Sequence, residues 1–167
     1  MIDSNITINK SLKISKKEIL KDYFLINESR NLSLIGRKEV FMGRAKFGVF
    51  GDGKELPQIA MSKFFKNGDF RSGYYRDQTF MMAIDQLNSS QFFAQLYSHT
   101  DTKFDPHSAG RQMNCHFATR MLNDDGDWKT QTDMKNSASD ISCVSGQMPR
   151  IVGLGYASKL YRENKNL

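Results

Sequence analysis

Residues 74–87 read YYRDQTFMMAIDQL. This stretch predicts a helix, and the turn-forming residues NGDF at 67–70 predict a turn shortly before it. Its first residues place two tyrosines, an arginine and an aspartate side by side, and a second arginine, Arg71, lies five positions before Arg76. Hydrogen-bonding side chains grouped in this way are not expected on a surface that has no function. The stretch therefore also indicates a binding site.

Two further helices are predicted on the N-terminal side. Ser15 and Glu18 fit a capping box, in which each side chain satisfies the other residue's backbone amide. The apolar residues that follow recur at helical spacing: Ile19, Leu20, Tyr23 and Phe24. NESRNL at 27–32 either breaks this helix or forms its polar face.

Residues 37–56 carry too many glycines for a regular element, and they predict a loop with one extended piece that ends in the turn Gly51–Asp52–Gly53. Another helix is expected after this turn, with Pro57 in its first turn. Its apolar face is predicted to consist of Leu56, Ile59, Ala60 and Phe64.

Downstream of residue 87, two more helices are predicted. Ser89 or Ser90 can cap the first of them, and its inward-facing residues are expected to be Phe92, Phe93, Leu96 and Tyr97. Residues 99–140 are polar and rich in turn formers, which in a compact domain is typical of a functional or disordered segment. The closing helix has Pro149 near its start and an apolar face of Val152, Tyr156 and Leu160. No predicted element follows this helix to cover that face, so an exposed apolar surface is expected near the C-terminus.

Composition limits the class of protein. The chain has 167 residues, the length of one domain or part of one. Its net charge of +6 favours anionic partners only weakly. The two cysteines form no C-x-x-C pair, so a zinc site or a disulfide framework is not expected. No apolar run approaches the length of a membrane span, and the N-terminus lacks a signal peptide. These features predict a cytoplasmic protein.

Two polar segments are candidates for chemistry. In SAGRQMNCHF (108–117), Arg111 follows a glycine and can present its fork to a phosphate or carboxylate. The alternative is a surface loop pinned by one salt bridge. His116 and the adjacent Cys115 do not have zinc-site spacing. In SCVSGQMP (142–149), the amides before a helix can face an anion or a polar ring, or the segment is an ordinary capping loop.

Four motifs occur in a fixed order: G-D-G-K-E, Y-Y-R-D, G-R-Q-M-x-x-H and S-x-x-x-G-Q-M-P-x-x-x-G. Together they resemble the alpha portion of thiamine diphosphate-dependent 2-oxo acid dehydrogenases, the decarboxylating first component of pyruvate, branched-chain and related complexes. The resemblance covers roughly residues 36–162. It is strongest to a bacterial form in which the alpha and beta portions are fused in one chain.

The resemblance implies roles for particular residues. Tyr75 and Arg76 would bind the diphosphate of the cofactor, a task that suits a bidentate guanidinium. Backbone groups of Ser142 and Val144 would hold the aminopyrimidine ring. Arg111 and Gln112 would belong to the loop beside the substrate channel. His116 would lie in the same loop, with either a positional or an acid–base role, and it is the candidate catalytic residue.

The resemblance also implies the fold and the domain organisation. The fold class is α/β, a doubly wound parallel sheet of which this chain carries the mostly helical N-terminal part. Residues 1–35 would be a helical leader, and residues 36–167 a thiamine diphosphate-binding domain that is incomplete at its C-terminus. The motif that binds magnesium in the family is absent, so its ligands are expected outside this chain. The chain is expected to be a fragment.

The function implied for the parent protein is oxidative decarboxylation of a 2-oxo acid. Its partners would be the beta portion, the lipoyl acyltransferase and the 2-oxo acid, in a homo- or hetero-oligomer, and the isolated chain would be inactive. A non-catalytic binding or assembly module that retains the fold is the alternative. A basic nucleic-acid-binding module would rest on the lysines of residues 10–21 alone, and a solvated helix face explains these better. No nucleic-acid or membrane partner is therefore expected.

Overall fold

A computed structural model describes residues 14–164 of the chain. The elements in chain order are α1 (Lys16–Phe41), α2 (Glu55–Ser62), β1 (Phe70–Arg71), α3 (Gln78–Ala83), α4 (Ser89–Leu96), a 3-10 turn (Gln131–Asp133), β2 (Asn136–Ser137) and α5 (Gln147–Glu163). The two strands pair in parallel, with Phe70 opposite Asn136. The described part of the chain is therefore mixed and helix-rich, with one small parallel sheet. The first 13 residues of the predicted helical leader lie outside it.

Helix α1 is longer than the sequence predicted. The Ser15 side chain accepts a hydrogen bond from the Glu18 amide at 3.2 Å, as the capping pattern predicted. The Glu18 carboxylate does not reach back, because it binds Lys63 instead. NESRNL is helical, so the reading of it as a helix break is wrong, and α1 continues across position 35 to Phe41.

The buried stripe of α1 is not the predicted one. It consists mainly of small and polar residues: Ser29, Leu32, Ser33, Gly36 and Glu39. At Gly36 an added Cβ would lie 2.5 Å from the Phe50 ring, so only glycine allows this close approach. The apolar residues of the first two turns, Ile19, Leu20, Tyr23 and Phe24, are all exposed. Helical spacing identified the helix correctly but assigned the wrong side to the core.

Helices α2, α3 and α4 pack with α1 around one hydrophobic core. Its largest fully buried apolar side chains are Phe80, Met81, Ile84, Phe92 and Phe117. Helix α3 covers Gln78–Ala83 only, so residues 74–77 and residues 84–87 of the predicted helix lie outside it. Asn88 caps α4 in a capping box with Gln91, and neither Ser89 nor Ser90 does so. Phe92 and Leu96 are buried as predicted, whereas Tyr97 is exposed.

The predicted inner face of α2 is also mostly wrong. Pro57 lies in the first turn as expected, but the buried residues are Glu55, Gln58 and Ile59. Glu55 accepts two hydrogen bonds from the Arg30 guanidinium, at 2.6 and 2.9 Å. A buried carboxylate paired in this way can occupy a position that the sequence pattern assigns to an apolar residue.

Residues 99–140 are ordered by buried polar groups. The centre of this arrangement is Arg71, which is 6% exposed. Its guanidinium binds Asp77 at 2.8 Å and Asp140 at 2.9 Å, and it donates to the Ser137 hydroxyl at 2.6 Å. The Asp140 side chain is fully buried and also accepts from the Phe117 amide. One arginine therefore joins β1, β2 and the segment before α5.

Pro149 lies near the start of helix α5, as the sequence predicted. The helix begins at Gln147 and has no buried residue. The exposed apolar surface expected near the C-terminus is present. Its large apolar side chains are Met148, Ile151, Val152, Tyr156, Leu160 and Tyr161. Among residues 14–164, no helix has both the length and the apolar character needed to cross a membrane.

Substituting Glu39 with glutamine should make the chain's stability less dependent on acid. Hydrogen bonds from Arg44 and then from Tyr97 lower the pKa of Glu39 from 4.5 to about 2. Because the folded-state pKa is lowered, this carboxylate stabilises the fold at pH above about 4.5, and its contribution is lost as the pH falls towards 2.

The measurement is chemical unfolding of the wild type and of Glu39→Gln from neutral pH downward. We expect the wild type to be the more stable protein at neutral pH, with the difference shrinking between pH 4.5 and 2. Glu18→Gln, which removes a partly exposed carboxylate of the same helix paired with Lys63 at the surface, is the control. A difference between wild type and Glu39→Gln that stays constant with pH would contradict the assignment.

Candidate functional site

The segment Tyr74–Arg76 connects β1 to α3 and is held from two sides. Asp77 accepts a hydrogen bond from the Tyr74 amide at 2.9 Å. On α2, the Gln58 side chain donates to the Arg76 carbonyl at 2.8 Å and accepts from the Phe80 amide at 2.9 Å. The backbone of the segment is thus fixed at both ends, and its side chains are partly or fully exposed.

The two tyrosines form a hydrogen-bonded pair. The Tyr74 hydroxyl donates to the Tyr75 hydroxyl at 2.6 Å, and this bond raises the pKa of Tyr74. Because a hydroxyl that accepts one bond keeps its own proton, Tyr75 can donate to a further acceptor. The guanidinium carbon of Arg76 lies 5.9 Å from the centre of the Tyr75 ring. Tyr75 and Arg76 therefore present an O–H and several N–H donors together.

His116 is buried, with 2% of its surface exposed. Its Nδ1 lies 3.2 Å from the Asn114 carbonyl, and its Nε2 lies 2.9 Å from the Ser142 hydroxyl. A carbonyl can only accept, so we assign the proton to Nδ1, and in the neutral ring Nε2 then accepts from Ser142. The Tyr75 ring stacks on the imidazole, with centroids 6.1 Å apart. Tyr75, His116 and Ser142 form one cluster, which we call the Tyr75 cluster.

Two buried carboxamides hold the backbone around His116. Gln95 on α4 donates to the His116 carbonyl and accepts from the Cys115 amide, both at 2.6 Å. Asn114 donates to the Val49 carbonyl at 2.6 Å and accepts from the Val49 amide at 2.9 Å. Each side chain therefore takes the place of a neighbouring strand and fixes a segment that has no regular structure.

The loop before α5 completes the cluster. The Ser72 hydroxyl donates to the Gln147 carbonyl at 3.0 Å, which ties the segment before Tyr74 to the first turn of α5. Ser142 and Val144 are exposed. The Gln147 Oε1 atom is buried and has no hydrogen-bond partner among residues 14–164. An unpartnered buried acceptor is costly, and a donor that reached this atom would remove the cost.

Arg111 and Gln112 are not part of the Tyr75 cluster. Both are exposed and line a cavity of about 450 Å³ together with Phe47 and Met113. Asn114 contributes to this cavity too, and its carbonyl is the acceptor of the His116 bond. The sequence placed Arg111, Gln112 and His116 in one loop. In the structure, Arg111 and Gln112 line this cavity, whereas His116 belongs to the Tyr75 cluster.

Several residues that shape the site were missed by sequence reasoning. Arg71 stands in the segment that drew attention to the tyrosines, but its partner Asp140 is 69 positions away. Gln58, Gln95 and Asn114 carry no motif. The sequence does show glutamine and asparagine side chains beside runs of apolar residues, which can indicate buried amides. It does not show which backbone groups these side chains bind.

Among residues 14–164 there is no group of three histidine, cysteine, aspartate or glutamate side chains that could hold a metal ion. No protein-family model matches the chain. A comparison with curated proteins also finds no match.

Proposed function

We propose that the chain is part of the alpha portion of a thiamine diphosphate-dependent 2-oxo acid dehydrogenase, and that it holds one side of the cofactor. The observation that carries the proposal is the Tyr75 cluster. Its members come from three of the four sequence motifs, and Tyr75 and Ser142 are 67 positions apart in the chain. Both contact the same imidazole, at 6.1 Å between ring centres and 2.9 Å between polar atoms. Motifs that serve one ligand should converge in this way.

The donors of this cluster fit the cofactor's two polar ends. A diphosphate requires O–H and N–H donors, and Tyr75 and Arg76 offer both on an exposed segment. The aminopyrimidine end carries an amino group, and the unpartnered Oε1 acceptor of Gln147 lies at the start of α5, directly after the loop of Ser142 and Val144. When bound, thiamine diphosphate supplies the nucleophilic carbon that makes decarboxylation possible; the protein binds and orients it.

His116 is better suited to positioning than to acid–base chemistry. Both of its ring nitrogens are engaged, one by the Asn114 carbonyl and the other by Ser142. The ring is buried against Tyr75. In this arrangement His116 fixes the Ser142 hydroxyl, and with it the start of the loop that would hold the aminopyrimidine ring. This assignment chooses between the two roles that the sequence left open.

The rest of the fold and the partners would come from other parts of the enzyme. The doubly wound parallel sheet, the magnesium ligands and the glutamate that activates the cofactor would be completed by the rest of the alpha portion and by the beta portion. Helix α5, with no buried residue and six exposed large apolar side chains, supports a contact with another protein surface. The acyl group would then pass to a lipoyl acyltransferase.

A titration with thiamine diphosphate, followed by NMR of the labelled chain, tests the proposal. We expect shifts at residues 74–76 and 142–147, with a dissociation constant of about 1 mM or weaker. The affinity should be low because one charge-assisted contact contributes only about 1.5–3 kcal/mol, and association costs at least about 4 kcal/mol. Magnesium alone should cause no shifts at these residues.

Thiamine without the diphosphate is the matched ligand control, and Arg76→Gln is the matched variant. Arg76→Gln should bind thiamine diphosphate no better than the wild type binds thiamine. The proposal fails if residues 74–76 and 142–147 do not respond to the cofactor, or if Arg76→Gln responds like the wild type.

A further inference from the structure

Asn114 also lines a second cavity, whose other lining residues are not part of the Tyr75 cluster. It is the 450 Å³ cavity between the loop after α1, the end of α4 and the loop before Asn114. We call it the basic cavity, and the residues that matter for its chemistry are Arg44, Lys46, Phe47, Tyr97, Arg111 and Met113. None of them belongs to the Tyr75 cluster.

The charges on its walls are of one sign. Arg44, Lys46 and Arg111 line the cavity, and no aspartate or glutamate does. Arg44 is neutralised by Glu39, to which it donates from Nε at 2.6 Å and from Nη2. Within the described part of the chain, Lys46 and Arg111 form no ion pair. Two cations therefore face the cavity without a counter-charge.

The same walls also carry apolar surface. Phe47 is 53% exposed, Tyr97 is 47% exposed and Met113 is 39% exposed. Aromatic and thioether groups of this kind favour contact with an apolar or aromatic body. The basic cavity thus combines two unpaired cations with three exposed apolar side chains.

The walls are fixed before any ligand arrives. The Tyr97 hydroxyl donates to Glu39 at 2.6 Å, so that Arg44, Glu39 and Tyr97 form one bonded wall. On the opposite side, an added Cβ at Gly110 would lie 2.6 Å from the Ser98 carbonyl, so the loop of Arg111 packs directly on the end of α4. Preformed walls reduce the entropy that binding must overcome.

We propose that the basic cavity binds a small organic anion with an apolar or aromatic body, its carboxylate or phosphate on Lys46 and Arg111 and its body on Phe47 and Met113. The cavity is small, and only two cations are unpaired, which does not suit a nucleic acid strand. This site is separate from the proposed cofactor site and does not depend on it.

Benzoate is the probe, and NMR of the labelled full chain is the measurement. We expect benzoate to shift the amides of residues 44–47 and 110–113 in a saturable way while residues 74–76 and 142–147 stay unchanged. Benzyl alcohol has the ring without the charge, and inorganic phosphate has the charge without the ring. Each should bind at least about tenfold more weakly, a difference of about 1.4 kcal/mol.

The double substitution Lys46→Gln and Arg111→Gln should weaken benzoate binding about tenfold or more. Both side chains are exposed and unpaired, so the variant should keep its fold. Lys17→Gln with Lys21→Gln removes the same charge from the exposed start of α1 and should leave binding unchanged. The proposal is overturned if benzoate causes no shifts in the basic cavity, if benzyl alcohol or phosphate binds as well as benzoate, or if both double variants behave alike.

Discussion

Replacing Arg71 with methionine is expected to lower the free energy of unfolding by about 3–5 kcal/mol. The guanidinium binds two carboxylates, and the Asp140 side chain is fully buried. Without the arginine, Asp140 keeps the hydrogen bond from the Phe117 amide but loses its counter-charge. A buried carboxylate left without a cation is among the costliest defects a substitution can cause. Urea unfolding monitored by circular dichroism measures the change.

Arg120→Met is the matched control, because Arg120 also pairs with an aspartate but on the surface. An exposed pair contributes about 0–1 kcal/mol, so this variant should unfold almost like the wild type. Equal losses for Arg71→Met and Arg120→Met would show that the Arg71 network does not hold the fold together. The paired change Arg71→Met with Asp140→Leu should recover part of the loss, since it removes the orphaned charge.

Gly73→Ala is expected to cost about 3 kcal/mol or more, a large effect for one methyl group. A Cβ at this position would lie 1.7 Å from the guanidinium carbon of Arg71. The end of a flexible side chain can usually move away from such a clash. Here it cannot, because moving it breaks the bonds to Asp77 and Asp140. The alanine can therefore be accommodated only if Arg71 gives up its ion pairs with the two aspartates.

Two comparisons isolate this cause. Gly153→Ala, in α5, meets nothing within 4 Å and should stabilise its helix by up to about 1 kcal/mol. In an Arg71→Met background, Gly73→Ala should cost much less than in the wild type, because the network it disturbs is already gone. Additive losses from Gly73→Ala and Arg71→Met would rule out the explanation.

Helix positions were largely predictable because local signals set them. The Ser15 cap, Pro57 and the apolar spacing after residue 89 each act within a few residues, and the structure has helices at all three places. Burial was less predictable. Spacing marks an apolar face, but α1 buries Ser29 and Ser33 and exposes Tyr23 and Phe24. Which side faces the core depends on neighbours that the local pattern does not contain.

The candidate site also has a part that the sequence predicted and a part that it did not. Sequence motifs drew attention to Tyr75, His116 and Ser142, and the structure brings these three together. The side chains that hold them, Gln58 and Gln95, were missed, because each binds backbone atoms about 20 positions away. Backbone atoms are the same in every residue, so no motif records such a bond.

Gln58, Gln95 and Asn114 have a further consequence for the site. All three are uncharged, and each binds backbone groups, which are uncharged as well. Dissolved ions screen interactions between charges, but they have little effect on short bonds between neutral groups. Ionic strength will therefore act on the charges that the segments of Tyr75 and His116 present to a ligand, and it will have little effect on the bonds by which these three side chains hold the backbone.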